Sequence, residues 1–133
     1  MIRKEYYPSG ALRAEIEMEA GRLHGLRKFY YESGLIESEF FFWNGLMDGI
    51  CKWYSENGDF TGEFTMKRGT GVVKKWNQQG ALESEGQFVG GELFGEVNLF
   101  NVQGKKLSTS YWAKGKKMSK KKYDDLVKSY RMA

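Results

Sequence analysis

Residues 29–49 read FYYESGLIESEFFFWNGLMDG. Seven aromatic rings stand here in two runs, FYY and FFFW. Both runs fall far short of the roughly 20 apolar residues that a membrane helix needs. Gly34 follows Tyr-Glu-Ser, Gly45 follows Trp-Asn, and Gly49 follows Met-Asp. The same glycines return along the chain. Gly10, Gly34, Gly58, Gly80 and Gly104 lie 24, 24, 22 and 24 residues apart. Gly21, Gly45, Gly69, Gly91 and Gly115 keep those intervals, and Gly25, Gly49, Gly71 and Gly95 form a third series. An aromatic residue stands four before each glycine of the first series: Tyr6, Tyr30, Tyr54, Trp76 and Phe100. Five after it come Glu15, Glu39, Glu63, Glu85 and finally Thr109. Self-similarity at a fixed period is the mark of a repeat architecture. Five units are expected, starting near residues 3, 27, 51, 73 and 97.

Each unit reads as strand, turn, strand and glycine-rich connection. The turns are YPSGA, YESGL, SENGD, NQQGA and NVQGK. A type I turn followed by a left-handed glycine in a bulge is a common way to close a hairpin. With Gly34 in that role, Tyr31 opposes Leu35, and facing residues in this hairpin have numbers that sum to 66. This register gathers Leu26, Tyr30, Ile36, Phe40 and Phe42 on one face. It does the same for Ile50, Tyr54, Phe60, Phe64 and Met66, for Val72, Trp76, Leu82 and Phe88, and for Tyr6, Leu12, Ile16 and Met18. On the other face it sets Arg3 against Glu15, Glu5 against Arg13, Arg27 against Glu39 and Lys75 against Glu83, pairs that an exposed sheet face favours. The expected fold is therefore all-β: an elongated, twisted, single-sheet antiparallel meander of about five hairpins, spanning residues 1–118.

An open array needs its end covered. In the tail, residues 119–133, Tyr123, Leu126, Val127 and Tyr130 recur with the spacing of one helical face. Ser119 suits an N-cap and Met118 a staple against Tyr123. One C-terminal capping helix from about Ser119 to Tyr130 is predicted over the last hairpins.

Bulk composition agrees and narrows the function. The 133 residues include 17 glycines, one proline and 16% aromatics, which suits short strands and tight turns and excludes collagen and disordered chains. Residues 1–95 hold 11 basic and 14 acidic side chains, and residues 96–133 hold 10 and 3, so the net +4 arises from −3 and +7. A body with negative charge argues against nucleic acid as a partner. The lone Cys51 permits no internal disulfide, and no apolar leader opens the chain, so a cytoplasmic location is expected.

The stretches YYPSGALRAEIEMEAGRLHG and FYYESGLIESEFFFWNGLMDG resemble the MORN-repeat variant, whose units carry tyrosines, an Asn or Ser before Gly, an apolar residue, a Glu, an aromatic and further glycines. The resemblance extends over residues 1–118 and includes small bacterial proteins grouped as YwqK-family antitoxins. It implies MORN-type β-hairpins and a binding protein that neutralises a partner toxin. The short KRGTG connection departs from the pattern and is expected to kink the array.

Nothing in the chain has the pattern of a catalytic centre. His24 is the one histidine, at a position that Asp48 and Phe94 fill in other units, so it is expected to face solvent. Cys51 has no fixed neighbouring base. No convergent His, Cys and carboxylate set points to a metal, and no cofactor motif is present. The candidate site is instead a ring cluster left on the outer face: Phe29, Tyr31, Phe41, Trp43 and Trp53. Glu37 and Glu39 flank it and would complement a basic protein partner, a homodimer being the alternative occupant. Lys116, Lys117, Lys120, Lys121 and Lys122 form a second candidate, for an anionic membrane surface.

Overall fold

The computed structural model describes residues 1–131. The elements follow in order as β1 (Ile2–Tyr6), β2 (Leu12–Glu19), β3 (Arg22–Tyr30), β4 (Ile36–Trp43), the two-residue β5 (Leu46–Met47), β6 (Gly49–Tyr54), β7 (Phe60–Met66), β8 (Gly71–Trp76), β9 (Leu82–Val89), β10 (Glu92–Phe100), β11 (Lys106–Ala113), β12 (Lys116–Met118) and α1 (Lys120–Arg131). All pairings are antiparallel hairpin neighbours, so the meander and its five units stand.

The meander is not one sheet, however. Strands β1-β2-β3-β4-β6-β7 form one sheet, with β5 attached to β4, and β8 to β12 form a second. The seam falls at the shortened connection, where only the Lys67–Thr70 bridge joins β7 to β8. Two local causes act there. The connection from Lys67 to Gly71 lacks two residues that Trp43–Gly49 has. In addition, Gly62 has no side chain, and the Trp76 ring lies where one would be.

The hairpin tips form as expected. Gly34 N–H donates to Tyr31 O and Tyr31 N–H to Leu35 O, both at 2.9 Å, and Gly34 sits at φ 94°. One residue later the register departs from expectation. Tyr30 faces Ile36, but Phe29 faces Ser38, which leaves Glu37 as an extra residue in a second bulge. Arg13, Thr61, Glu83 and Leu107 are extra in the same way. Beyond the bulge the facing numbers sum to 67, and a one-residue slip exchanges the two faces of one strand relative to its partner.

Beyond the bulge the second strands keep their predicted faces, and Ile16, Phe40, Phe42, Phe64 and Met66 are buried, whereas Ile36 and Phe60, on the tip side of it, oppose Tyr30 and Tyr54 and leave the predicted inner face. The first strands turn over. Arg27 opposes Phe40, and Cys51 opposes Phe64. Tyr30 and Tyr54 face the other way, where their hydroxyls donate to Glu15 (2.6 Å) and Glu39 (3.2 Å). Arg3–Glu15, Glu5–Arg13 and Arg27–Glu39 are therefore not facing pairs. Lys75 faces Ser84, although its amino group still reaches Glu83 diagonally at 3.7 Å.

The core cluster is Phe40, Phe42, Cys51, Phe64 and Met66, with Trp53, Val73, Trp76 and Phe88 packed against it. Because Val73, Trp76 and Phe88 belong to the second sheet, one apolar core spans the seam. Phe40 meets Trp53 and Phe64 edge-on, with centroids 5.3 and 5.5 Å apart. At the opposite end of the hairpins, two-residue turns such as Asn44-Gly45 have positive φ at both positions, the conformation that matches strand twist. These turns stack. Gly45 N–H donates to Leu23 O, Gly69 to Met47 O, Gly91 to Gly69 O and Gly115 to Leu93 O.

Helix α1 is capped as predicted, since Lys122 N–H donates to Ser119 Oγ at 3.2 Å. Residues 132 and 133 of the predicted tail lie outside the described part. The helix covers the outer face of the last hairpin. Tyr123 packs on Tyr111 and Tyr130 on Phe94, with centroids 5.5 and 5.9 Å apart. Tyr111 opposes Glu96 and stands at the repeat position of Phe41, which is on the outer face.

Candidate interaction surface

The bulge redistributes the predicted ring cluster. Phe29 and Trp53 oppose Ser38 on the inner face, and Trp53 is part of the core packing. Both leave the outer patch, for the reason already given: their strand is turned by one residue. Small residues recur at this position as Ala14, Ser38, Gly62, Ser84 and Ser108, so that large neighbours on both sides fit around them. Tyr31 is half-buried at the tip edge, where its hydroxyl donates to Tyr54 O at 2.7 Å. Phe41 and Trp43 remain outside, 45% and 41% exposed. Leu26 lies directly opposite Phe41. Continuing the Glu39–Lys52 register brings Ile50, also exposed, to the other side of Phe41. The outer apolar patch is thus Leu26, Phe41, Ile50 and Trp43. Arg68 lays its guanidinium on the Trp43 ring at 4.1 Å.

Beside this patch runs a line of charge that the sequence reading assigned to the wrong cations. Lys4, Glu15, Lys28, Glu39, Lys52 and Glu63 face one another in turn across the six hairpin strands of the first sheet. Lys74 and Glu85 repeat the pair in the second sheet. Asn98 and Thr109 then replace the charges with hydrogen bonds, Asn98 to Glu85 at 3.2 Å and Thr109 to Asn98 at 2.7 Å. The lysines were legible: they stand six before each of the first four tip glycines, with the same intervals as those glycines. Glu39 is held in this line and by Tyr54, whereas Glu37 occupies its bulge. Desolvation, followed by the hydrogen bond to Glu15, pushes the Tyr30 phenol up to about 12. Desolvation likewise raises Tyr54 and Tyr31.

His24 is half-buried and has a structural task. Its Nδ1 accepts the Asn44 N–H at 3.0 Å. Asp48 accepts the Arg68 N–H and Thr70 the Gly90 N–H from the equivalent position. The position varies because any short acceptor serves to hold the next turn. Phe94 ends this series and carries the helix instead.

On the inner face Arg27 is sandwiched among Phe29, Phe40 and Phe42, with its guanidinium 4.7, 5.0 and 4.9 Å from their centroids. Its Nε has no hydrogen-bond partner, and burial lowers its pKa. Burial raises the Cys51 thiol, which leaves it protonated and inert as a nucleophile. Among the described residues, no group of three or more His, Cys, Asp and Glu is placed to hold a metal ion.

Of the five candidate lysines, Lys120 pairs with Asp124 at 2.7 Å and Lys121 with Asp125 at 3.4 Å. Lys116, Lys117 and Lys122 stay exposed. No helix among the described residues is long and apolar enough to cross a membrane.

Residues 1–20, 23–44 and 47–67 match the MORN repeat variant in three consecutive stretches. The first three units are similar to MORN-variant repeats. Each stretch covers one of the three hairpins of the first sheet, so the family match and the sheet boundary coincide. MORN repeats mediate protein or membrane interactions and are typically non-catalytic. Comparison with curated proteins and with solved structures gave no match.

Proposed function

We propose that the chain is a non-enzymatic protein-binding repeat protein of the antitoxin, immunity or inhibitor type, which blocks its protein partner sterically. The observation that carries this reading is the uncovered outer patch of Leu26, Phe41, Ile50 and Trp43. The equivalent ring in the last unit, Tyr111, is covered by the chain's own helix, whereas Phe41 is left open. Exposed aromatics beside charged residues make effective anchors. Glu39, two residues from Phe41 on the same face, and Glu37 in the bulge nearer the tip supply polar complementarity. The buried, lone Cys51 suits a reducing compartment and hence the cytoplasm.

The test is capture from native lysate on immobilised protein, with Phe41→Ala and Trp43→Ala as paired controls. Proteins retained by the wild type and lost with both variants support the reading, and identical capture by all three refutes it. Sedimentation of the purified chain decides whether the occupant is a second copy. A second reading, a membrane-surface scaffold, draws on exposed Lys116, Lys117 and Lys122. Salt-sensitive sedimentation with anionic vesicles, lost on removing residues 114–133, would favour it.

A further inference from the structure

At the outer edge of β1 the repeat leaves its own binding rule unmet. Met1 and Met18 exchange two backbone hydrogen bonds, at 2.9 and 2.7 Å, which fixes the alternation along the hairpin. Met1, Arg3 and Glu5 therefore bond to β2, while the N–H and C=O of Ile2, Lys4 and Tyr6 point away from the sheet. In the second and third units the matching edge is filled by the preceding strand. That strand sets a glutamate against the lysine, Glu15 against Lys28 and Glu39 against Lys52. Its glutamate accepts the tyrosine hydroxyl, Tyr30 to Glu15 and Tyr54 to Glu39. The preceding unit also donates a tyrosine hydroxyl to the carbonyl of that tyrosine, Tyr7 to Tyr30 and Tyr31 to Tyr54. The first unit keeps the same lysine and tyrosine, but Tyr6 is 59% exposed and receives neither.

We infer that the β1 edge is an acceptor for an extended acidic strand from another protein, added antiparallel with a carboxylate opposite Lys4 and within reach of the Tyr6 hydroxyl. The chain's own interior strands state the preferred pattern: small, acidic, apolar, as in Ala14-Glu15-Ile16 and Ser38-Glu39-Phe40. Arg3 pairs with Glu5 at 3.5 Å, which leaves Lys4 as the unbalanced charge along this edge, so its charge favours an acidic guest. A second copy cannot supply the strand from its own far end. Glu63 lacks a tyrosine partner there, but β8 closes that edge: Trp76 lies on Gly62, and Trp53 Nε1 donates to Lys74 O at 2.8 Å. This surface is separate from the Phe41 patch, and strand addition at a sheet edge is an established mode of peptide capture.

The probe is a blocked, dye-labelled peptide with the sequence of residues 12–19, LRAEIEME, titrated with the full chain by fluorescence anisotropy. Saturable binding is expected. Replacing the peptide's first glutamate by Gln, or Tyr6→Phe in the protein, should weaken it roughly tenfold, the scale of a hydrogen bond to a charged group. Lys4→Pro removes an outward N–H without touching the hairpin's own bonds, and should abolish binding while the circular dichroism melt stays in place. Should that variant fail to fold, Tyr6→Phe and the Gln peptide carry the test. Absence of saturable binding, or equal binding of the Glu and Gln peptides, overturns the inference.

Discussion

Phe40 and Phe41 are adjacent in sequence and point to opposite faces, so alanine at each should separate folding from recognition. Phe40 is 5% exposed and touches the rings of Trp53 and Phe64 edge-on, with Arg27 above it. Its removal leaves a cavity that three rigid neighbours cannot close, which places Phe40→Ala at about 3–5 kcal/mol. Phe41 is 45% exposed, so it retains roughly half of the 1.5–3 kcal/mol that full burial provides, and Phe41→Ala should cost about 1 kcal/mol. The difference of about 3 kcal/mol corresponds to two orders of magnitude in the ratio of folded to unfolded chains. Urea unfolding followed by tryptophan emission measures both on one scale, provided that the slope of the transition stays constant. Equal costs for the two substitutions, or a cost below about 1 kcal/mol for Phe40→Ala, would refute the assignment of faces.

Three further perturbations test other parts of the structure. The Tyr30 phenol is raised to about 12 from an ordinary value of 10, so the unfolded chain loses its proton first and stability should fall as pH rises from 10 to 12. Tyr30→Phe should flatten that fall in urea midpoints, and an unchanged slope would count against the Glu15 hydrogen bond. Gly62→Ala places a methyl group against the Trp76 ring and should cost roughly 1–3 kcal/mol by overpacking, recovered at least in part by adding Trp76→Leu. Arg27→Met exchanges a desolvated guanidinium with an unpaired Nε for an apolar chain of similar length. Its melting temperature should be no lower than that of the wild type, because the relief of desolvation offsets the loss of about 0.5–1 kcal/mol per cation–π contact.

The period, the hairpin tips, the inner faces of the second strands beyond the bulge and the capped helix were all legible in the sequence. Each depends on residue types that recur: glycine at positive φ, an aromatic four before it, and Ser119 before a helical stripe. The second bulge was hidden because its extra residue has no common chemistry, being Arg13, Glu37, Thr61, Glu83 and Leu107 in turn. Nor could periodicity reveal the slip. The inner positions of the first strands hold Arg3, Arg27, Cys51, Val73 and Val97, a set with no uniform hydrophobicity, whereas the outer tyrosines pass for core. The misplacement of Phe29 and Trp53 follows from this one residue. Phe41 and Trp43 escaped it because they lie on a second strand. The seam was legible only as a shortened connection, since the loss of pairing also needs Trp76 to occupy the space above Gly62.

The Lys–Glu line gives the outer face an unusual kinetic character. Opposite charges follow each other at the strand spacing of about 4.8 Å, which is shorter than the screening distance of about 8 Å in physiological salt. At the range where a diffusing partner first meets this face, the fields of neighbouring strands therefore largely cancel. A partner docking on this face would thus meet it without electrostatic guidance, at the roughly 10⁵–10⁶ per molar per second typical of unsteered docking, and almost independently of ionic strength.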